Sequence, residues 1–447
     1  MQAAGLWRIL SSVQHRMSQT PAELFYGNHI LRPFGWFPKF PPGWPAVLSL
    51  GYLISARWLP VPIFAVLQLG IIASIGTRWF SPEVGALAVL FAALSPFYLV
   101  NSVGMMSHAL CALLAAAALL ALCRALDTND LRYYAAMFAC LAFTFQVRPY
   151  TAFVLTFVMT AASVWFIRGR RKLLLQVLSI GAVFGALAIA GVLIYNHTYT
   201  GRWLMSPYAE AAGANTPPEL SFNPVVILRA MARHGPFMLL ETVLGTFPFL
   251  HILAVYAIVF EKRYRREVWI LAVLYVALVF AYLFHPEGYA VFFGERFHFE
   301  AFFALALLAA RGAQILVDRW QVPRSAFVFA LLMLAALQIG QLASAVQVIS
   351  RTGEPYRRIR TALEAENVGG LVFLHDSPGF VAKHFNLNDA DWRHASRMFL
   401  VDADITRRAE WGCRFGFTKW VVASYDARSR LAVLNPGDSV CPIQPGP

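Results

Sequence analysis

Residues 149–195 read PYTAFVLTFVMTAASVWFIRGRRKLLLQVLSIGAVFGALAIAGVLIY, a pattern that governs most of the chain. Two long apolar runs flank a short turn that carries Arg168, Arg170, Arg171 and Lys172. A helix needs about 20 mainly apolar residues to cross the hydrocarbon core of a bilayer, and each run has roughly that length. Short loops rich in Lys and Arg stay on the cytoplasmic side. The stretch therefore predicts two membrane-spanning helices joined by a cytoplasmic turn.

The pattern recurs through a chain of 447 residues that is 58% hydrophobic and only 14% charged, with a mean hydropathy of +0.56. This composition is too apolar for an ordinary soluble domain. We predict an α-helical polytopic membrane protein with about ten spans. The predicted spans are 61–79, 84–101, 105–123, 133–147, 149–167, 173–195, 236–260, 268–284, 297–316 and 325–349.

Basic residues mark two further turns, one from Lys262 to Arg266 and one from Arg311 to Arg324. An even number of spans separates neighbouring marks, so all three turns lie on one side. Four regions then lie on the opposite, periplasmic or external face: 1–60, 195–235, 285–296 and everything after about 350. The net charge of +13 is explained by cytoplasmic loops that face anionic lipid. Binding of nucleic acid is the weaker interpretation of this charge.

The composition changes at Arg351, after which charged residues are frequent and apolar runs shrink to strand length. Alternating short helices and strands predict a small α/β domain. The predicted elements are a helix over 355–367, strands over 371–374, 397–401 and 420–424, and a helix over 405–414. The predicted domains are an external segment 1–60 with a juxtamembrane helix, a transmembrane domain 61–349 and a small periplasmic α/β domain 350–447.

Cysteine usage separates the two parts of the chain. Cys111, Cys123 and Cys140 fall within or at the ends of apolar stretches, where a free Cys packs as a small hydrophobe. Cys413 and Cys441 lie in the polar tail, where a disulfide and two free thiols both remain open.

The first 60 residues contain no signal peptide, because Arg8 interrupts the apolar run Gly5–Val13. Residues 46–56 are mildly apolar and follow a Pro-rich, aromatic stretch. They predict a helix on the outer surface of the membrane; a first spanning helix is the alternative, and it would add one crossing.

Short motifs at the outer ends of the predicted helices carry a resemblance to a known family. They are Lys39-Phe40-Pro41-Pro42-Gly43-Trp44-Pro45, Ala92-Ala93-Leu94-Ser95-Pro96-Phe97, Met106-Ser107-His108, Arg148-Pro149, Tyr195-Asn196 with Thr200-Gly201, and Gly294-Glu295-Arg296-Phe297-His298-Phe299-Glu300. In this order the motifs resemble the bacterial membrane glycosyltransferases related to protein O-mannosyltransferases. These enzymes form part of the GT-C superfamily, which includes the lipid A aminoarabinose transferases.

The resemblance implies transfer of a sugar from a polyprenyl-phosphate carrier to an acceptor at the outer face of a bacterial inner membrane. Such chemistry needs a carboxylate to deprotonate the acceptor hydroxyl, and cations to stabilise the departing phosphate. The implied partners are the polyprenyl-phosphate-linked sugar, the bilayer and an acceptor that is a protein, a glycan or a lipid. No cofactor is identified, and a divalent metal remains open.

The base implied by the family is an acidic residue in the first external loop, usually an Asp soon after a first transmembrane helix. This sequence has no Asp before Asp127, and Glu23 is the only acidic residue ahead of the Pro-Pro motif. Glu23 is therefore the candidate base. We expect the sequence to begin downstream of the family's first helix; translocation of the N-terminus is the alternative.

Arg296, Arg148 and Lys39 are the candidate ligands of the carrier phosphate, because an arginine fork matches phosphate oxygens. Arg148 before Pro149 fits equally well as a side chain that snorkels to the interface. Arg296 and Glu300 have i, i+4 spacing, which also suits a local ion pair.

His108, Glu300 and Glu287 are the candidate substrate-binding residues. A lone His at the start of a span also fits a packing role, and Glu287 with Glu295 also fits two solvated loop carboxylates.

The opposing function class is a transporter or a non-catalytic membrane partner that keeps the scaffold and has lost the base.

Overall fold

The computed structural model describes residues 29–32, 35–38, 40–56, 58–104, 106–211, 224–284, 296–377, 380, 397–402, 405–415 and 417–438. Within these residues the helices are α1 Gly43–Leu53, α2 Pro60–Trp79, α3 Pro82–Leu94, α4 Pro96–Val103, α5 His108–Thr128, α6 Leu131–Val147, α7 Pro149–Ile167, α8 Arg171–Thr200, α9 Pro207–Ala211, α10 Pro224–Gly245, α11 Pro248–Phe260, α12 Arg265–Leu283, α13 Phe302–Trp320, α14 Arg324–Ala365 and α15 Arg408–Phe415. The strands are β1 His29–Arg32, β2 Gly35–Pro38, β3 Gly370–Leu374, β4 Arg397–Val401, β5 Lys419–Asp426 and β6 Leu431–Asp438.

The chain is a multi-pass membrane protein. Among the described residues, seven helices are long and apolar enough to cross a membrane, and two bent helix pairs bring the number to nine. The shorter apolar α6 accounts for the tenth predicted stretch. Each predicted span therefore coincides with one helix or with one bent pair, and the predicted fold class is confirmed.

Many helices begin with proline because the first turn of a helix does not need a backbone N–H donor. Proline occupies the first turn of α2, α3, α4, α7 and α11. Serine precedes two of these prolines: Ser81 accepts from the N–H of Val84, and Ser95 accepts from the N–H of Tyr98. A Ser-Pro pair thus both caps and starts a helix.

Two spans that the sequence predicts as continuous are broken. The α3–α4 pair is bent by 67° at Ser95, and the two halves of the second pair, Gly235–Gly245 and α11, are bent by 93°. Pro96 and Pro248 begin the second halves, and Phe247 before α11 has a φ of 77°. Proline cannot donate to the preceding turn, so the helix changes direction there.

α13 is the most buried helix of the bundle, with every residue from Phe302 to Ala310 buried. A Cβ on Gly312 would collide with the carbonyl oxygen of Leu253, so the backbones of α13 and α11 are in close contact. Similarly, a Cβ on Gly76 of α2 would lie 2.6 Å from the Cα of Gly85 in α3. A 3-10 turn, Arg296–Ala301, leads directly into this buried helix.

α1 has 11 residues, about half the length that a span requires, so the interpretation of 46–56 as a first spanning helix is wrong. Trp44 of α1 packs in one cluster with Val61, Leu110, Cys111 and Val147. Residues 1–28, which precede it, lie outside the described part of the chain.

The tail folds as a four-stranded sheet with the order β4-β3-β5-β6, in which β3 is parallel to β4 and β5 and antiparallel pairing joins β5 to β6. One face packs on Trp411 of α15, and the other packs on Tyr356, Ile359 and Leu363 of α14. The predicted α/β character is confirmed. The edge strand β6 was not predicted, because Asn435-Pro436-Gly437 reads as a turn.

The chain divides into two compact units, one made of Phe40–Leu204 and Ala214–Val346, the other of Met1–Lys39, Met205–Gly213 and Gln347–Pro447. The predicted domain boundaries at residues 60 and 349 stay predictions. In the tail, Cys413 is disulfide-bonded. Cys441 lies outside the described residues, and Cys111, Cys123 and Cys140 are free, as predicted.

Candidate functional site

A buried carboxylate, Glu300, lies at the centre of a polar cluster at one end of the bundle. Oε1 of Glu300 is 2.9 Å from Nδ1 of His108 and 3.1 Å from Nε of Arg148. The first contact is a hydrogen bond, whereas the second is an ion pair in which Nε is not directed at the oxygen. Glu300 is fully buried and His108 almost so, and 15% of the Arg148 side chain is exposed. Three residues predicted separately from the sequence therefore meet in one place.

Helix ends bring these side chains together. His108 is the first residue of α5, Arg148 is the junction of α6 and α7, and Glu300 lies in the turn before α13. Two spans separate His108 from Arg148, and four separate Arg148 from Glu300, so an even number of crossings places all three at the same end. Tyr282, at the end of α12, joins them there. The topology predicted from the basic turns also places these helix ends on one face of the membrane.

Arg148 is held on several sides. Its Nη1 lies 3.2 Å from both ring nitrogens of His108, and its Nη2 donates to the hydroxyl of Tyr282 at 3.2 Å. The carboxylate of Glu300 can only accept, so Nδ1 of His108 carries the hydrogen and Nε2 accepts from Arg148. A guanidinium has five N–H groups, and one on each Nη has no acceptor among the described residues.

Tyr282 and Thr151 complete the anchoring of Arg148. The two hydroxyl oxygens are 2.6 Å apart, and both residues are buried. The sequence provided no signal for this pair, because a tyrosine at the end of an apolar stretch is also the usual interfacial aromatic residue.

Arg296 lies beside the cluster. The guanidinium carbons of Arg148 and Arg296 are 5.1 Å and 5.3 Å from the centre of the Phe297 ring. The Phe297 ring also stacks on Tyr282 at 4.9 Å with an interplanar angle of 4°. Nη1 of Arg296 approaches the sulfur of Met106 at 3.5 Å. Two cations thus lie against one aromatic ring at the end of the bundle.

The local ion pair suggested by the spacing of Arg296 and Glu300 does not form. Both ion pairs of Glu300 in the described residues join it to distant positions, Arg148 and His108. The reason is that residues 296–301 form a 3-10 turn. With three residues per turn, side chains four apart point about 120° away from each other.

Several of the motifs that carried the family resemblance are in contact with one another. Phe97 packs on Phe299 and Phe302. The Trp44 cluster includes Leu110, close to His108 in the chain, and Val147, which directly precedes Arg148. The hydroxyl of Tyr195 donates to the carbonyl of Phe40 at 2.8 Å. Nδ1 of His298 is 2.6 Å from the hydroxyl oxygen of Thr242.

One oxygen of the carboxylate has no partner among the described residues. Oε2 of Glu300 is buried and accepts no hydrogen bond from any of them. A buried polar atom without a partner costs free energy, and such atoms cluster where a ligand or a water binds.

The other sequence candidates, Glu23, Lys39 and Glu287, lie outside the described residues, as does Glu295. Within the part that the structure describes, no group of three His, Cys, Asp or Glu side chains is placed to hold a metal ion. His108 and Glu300 contact each other and Arg148. The divalent metal left open by the sequence stays open.

The opposite end of the bundle has its own ion pairs. Nε of Arg311 contacts Oε2 of Glu261 at 2.5 Å, and Nε of Arg78 contacts Oδ2 of Asp127 at 2.8 Å. Burial alone would raise the pKa of Glu261, but the hydrogen bonds from Arg311 and from two backbone N–H groups hold it below its ordinary value. These ion pairs join the ends of different helices, and they lie at the end of the bundle opposite the Glu300 cluster.

Comparison with known proteins gives one sequence match and several structural ones. A profile of the family described as dolichyl-phosphate-mannose-protein mannosyltransferase matches residues 39–195. No curated protein matches the chain significantly by sequence.

ArnT from Cupriavidus metallidurans, solved with undecaprenyl phosphate, superposes with a TM-score of 0.53 and 14% identity, over 94% of this chain and 90% of that chain. The oligosaccharyltransferase AglB from Archaeoglobus fulgidus, solved with an inhibitory peptide and a dolichol-phosphate, gives a TM-score of 0.51 and 12% identity, over 94% and 65% of the two chains. At these identities the likeness concerns the fold.

Proposed function

Because these matches confirm the GT-C superfamily fold expected from the sequence, we propose that the chain is a glycosyltransferase that uses a polyprenyl-phosphate-linked sugar. The acceptor is an envelope protein, glycan or lipid. Two structural neighbours were solved with polyprenyl phosphates, undecaprenyl phosphate in one and a dolichol-phosphate in the other, which supports a carrier of this class.

The observation that carries the proposal is the pair of guanidiniums, Arg148 and Arg296, against the ring of Phe297. Two neighbouring arginines at one end of the membrane bundle supply the positive charge and the fork of N–H groups that bind phosphate oxygens. Arg148 still has one N–H on each terminal nitrogen for such an anion. In this proposal both cations contact the carrier phosphate.

Glu300 acts as a positioning residue for Arg148. A fully buried carboxylate 3.1 Å from Nε supplies the counter-charge that keeps the guanidinium at this place, and the hydrogen bond from His108 fixes the carboxylate in turn. Preorganised cations stabilise charge that develops during a reaction without having to move.

In the proposed reaction a hydroxyl oxygen of the acceptor attacks the anomeric carbon of the sugar. The bond from that carbon to the phosphate oxygen breaks, and the polyprenyl phosphate leaves with the electron pair. Arg148 and Arg296 stabilise the charge that grows on the phosphate. The proton of the acceptor passes to a carboxylate base, for which Glu23 remains the candidate.

We place the reaction on the periplasmic face of a bacterial inner membrane. Positively charged turns mark the cytoplasmic face, and the ends that carry His108, Arg148 and Glu300 are the opposite ones.

Binding of undecaprenyl phosphate by the purified full-length chain in detergent tests the phosphate site. Arg296→Ala should weaken binding by about tenfold or more, because a charged hydrogen bond contributes about 1.5–3 kcal/mol. Arg202→Ala is the matched control, since Arg202 is exposed near the end of α8 on the same face. Equal affinities of the two variants would remove Arg296 from the site.

Transfer activity is tested with a panel of undecaprenyl-phosphate-linked sugars and an envelope extract that supplies protein, glycan and lipid acceptors, by following release of undecaprenyl phosphate. Release that requires Arg296 supports the enzyme. Intact carrier binding with no release from any sugar would favour the non-catalytic partner, because the phosphate site would then exist without transfer.

A further inference from the structure

An opening of about 400 Å³ lies between α2 and α5 at the end of the bundle opposite the Glu300 cluster. Its lining residues are Ala73, Ser74, Thr77, Arg78, Leu120 and Arg124. Arg124 is 16 residues along α5 from His108, so about 24 Å of helix separates this opening from the proposed reaction site. The two sites are therefore independent.

The rim of the opening is positively charged. Arg78 contacts Asp127 at 2.8 Å, and Asp127 is also 4.0 Å from Arg266, which in turn contacts Glu267 at 2.6 Å. Arg124 has no ion pair within the described part of the chain, and its guanidinium carbon is 5.7 Å from the centre of the Tyr133 ring. Asp127 and Glu267 thus neutralise only two of the three arginines.

The charged side chains of the lining lie near the helix ends, and the deeper side chains are uncharged. Arg78 and Arg124 are near the ends of α2 and α5, at the level of the membrane surface. The hydroxyl of Thr77 lies next to this level, and Ser74, Ala73 and Leu120 are about one helical turn deeper. An anionic group at the rim would therefore have apolar wall beneath it.

We propose that this opening binds a phosphate group through Arg124, with Arg78 and the hydroxyl of Thr77 beside it. An arginine that lacks a carboxylate partner binds phosphate oxygens with a fork of N–H groups. Basic openings between transmembrane helices take the head groups of anionic lipids. The phosphate comes either from an anionic membrane lipid, whose chains would lie along Ala73 and Leu120, or from a free phosphate compound.

Native mass spectrometry of the full-length chain in a neutral detergent measures the binding. The probes are phosphatidylglycerol, phosphatidylcholine with the same acyl chains, and inorganic phosphate. The test variant is Arg124→Gln, and Arg171→Gln is the matched control, because Arg171 is an exposed arginine at the start of α8 on the same face. Thr77→Val is a second variant that keeps the side-chain volume and removes only the hydroxyl.

The expected result is tighter binding of phosphatidylglycerol than of phosphatidylcholine, weakened about fivefold by Arg124→Gln and left unchanged by Arg171→Gln. Thr77→Val should weaken it by less. Competition by millimolar inorganic phosphate, with little effect of the lipid chains, would identify a free phosphate as the ligand. Equal binding of both lipids with no effect of phosphate, or equal losses in the two arginine variants, would overturn the proposal.

Discussion

Two carboxylates, Glu300 in the bundle and Asp402 in the tail, are each held by one arginine and one histidine. Asp402 accepts from Arg408 with both of its oxygens, and Nδ1 of His375 is 2.7 Å from its Oδ2. Within the described part of the chain, Glu300 is bonded only through Oε1, and its buried Oε2 has no partner there. A carboxylate, an arginine and a histidine therefore form a satisfied cluster in one place and an incomplete one in the other.

Exposure separates the two clusters further. The histidine of the tail is 43% exposed, whereas His108 is only 3% exposed. His375 and Asp402 directly follow the parallel strands β3 and β4, and Arg408 begins α15, so the cluster ties strand ends to a helix. A fully bonded carboxylate of this kind stabilises a fold, and a buried one with an unused oxygen is a place where a ligand is expected.

The largest expected effect is that of Arg148→Met, which keeps the bulk of the side chain and removes its charge. Glu300 is then buried without a counter-charge, so the free energy of unfolding should fall by about 3–5 kcal/mol. SDS-induced unfolding in mixed micelles measures it, with Arg202→Met as the control. Equal midpoints of the two variants would mean that the ion pair does not stabilise the bundle.

The double variant, Arg148→Met with Glu300→Gln, then separates stability from function. Removing both charges should restore most of the stability, because no buried charge remains uncompensated. Undecaprenyl phosphate binding should stay weak, since the guanidinium is gone. Recovery of binding together with stability would leave Arg148 with a structural role alone.

A smaller effect is expected for Asp402→Asn in the tail. The amide keeps the shape of the side chain but loses its charge-assisted hydrogen bonds, which should cost about 1–3 kcal/mol. Arg408 is 16% exposed, so part of its charge is recovered by water. Hydrogen exchange of the β3 and β4 amides in the full-length chain reports the loss, with Asp438→Asn at the end of β6 as a control. Unchanged protection of β3 and β4 would contradict it.

Acid should weaken the same cluster. Burial raises the pKa of Asp402, but the hydrogen bonds and charges of Arg408 and His375 outweigh burial and hold it below its ordinary value. The unfolded chain then binds the proton more tightly, so this contribution is complete above a pH of about 3.9 and is lost as the pH falls through the folded-state pKa.

Hydrogen exchange of β3 and β4 below pH 4, corrected for the intrinsic rate, measures this acid effect. Asp402→Asn should remove the pH dependence, and the loss in acid should not exceed the loss caused by that substitution. A pH dependence of equal size in the variant would assign the effect to other groups.

The smallest effect is expected for His375→Ala. Its ring is largely exposed and bonds to a carboxylate that Arg408 already satisfies, so the cost should be below about 1 kcal/mol. His108→Ala should cost more, since the buried Glu300 would lose the hydrogen bond that His108 donates to its Oε1. Equal losses at the two histidines, measured by the two methods above, would remove the distinction between the clusters.

The sequence alone predicted the bundle, the tail and most of their elements, because apolar length and the all-apolar strand Leu371–Leu374 are local signals. The sequence did not predict where a helix changes direction. The breaks at Ser95 and Phe247 lie inside stretches whose hydropathy is continuous, and hydropathy carries no information about the helix axis. Asp402 follows a short strand and reads from the sequence as a solvated loop residue, yet its side chain has no exposed area.

Local chemistry thus determined which residues of this chain belong in lipid, where helices begin, and which ionisable side chains stand at helix ends. Only the tertiary structure decided that Glu300 binds His108 and Arg148, 192 and 152 positions away in the chain, and does not bind Arg296 one turn back. The reason is geometric: a 3-10 turn rotates neighbouring side chains apart, and the packing of four helix ends brings distant ones within hydrogen-bond range. The same packing leaves one carboxylate oxygen without a partner among the residues that the structure describes, which no pattern in the sequence could indicate.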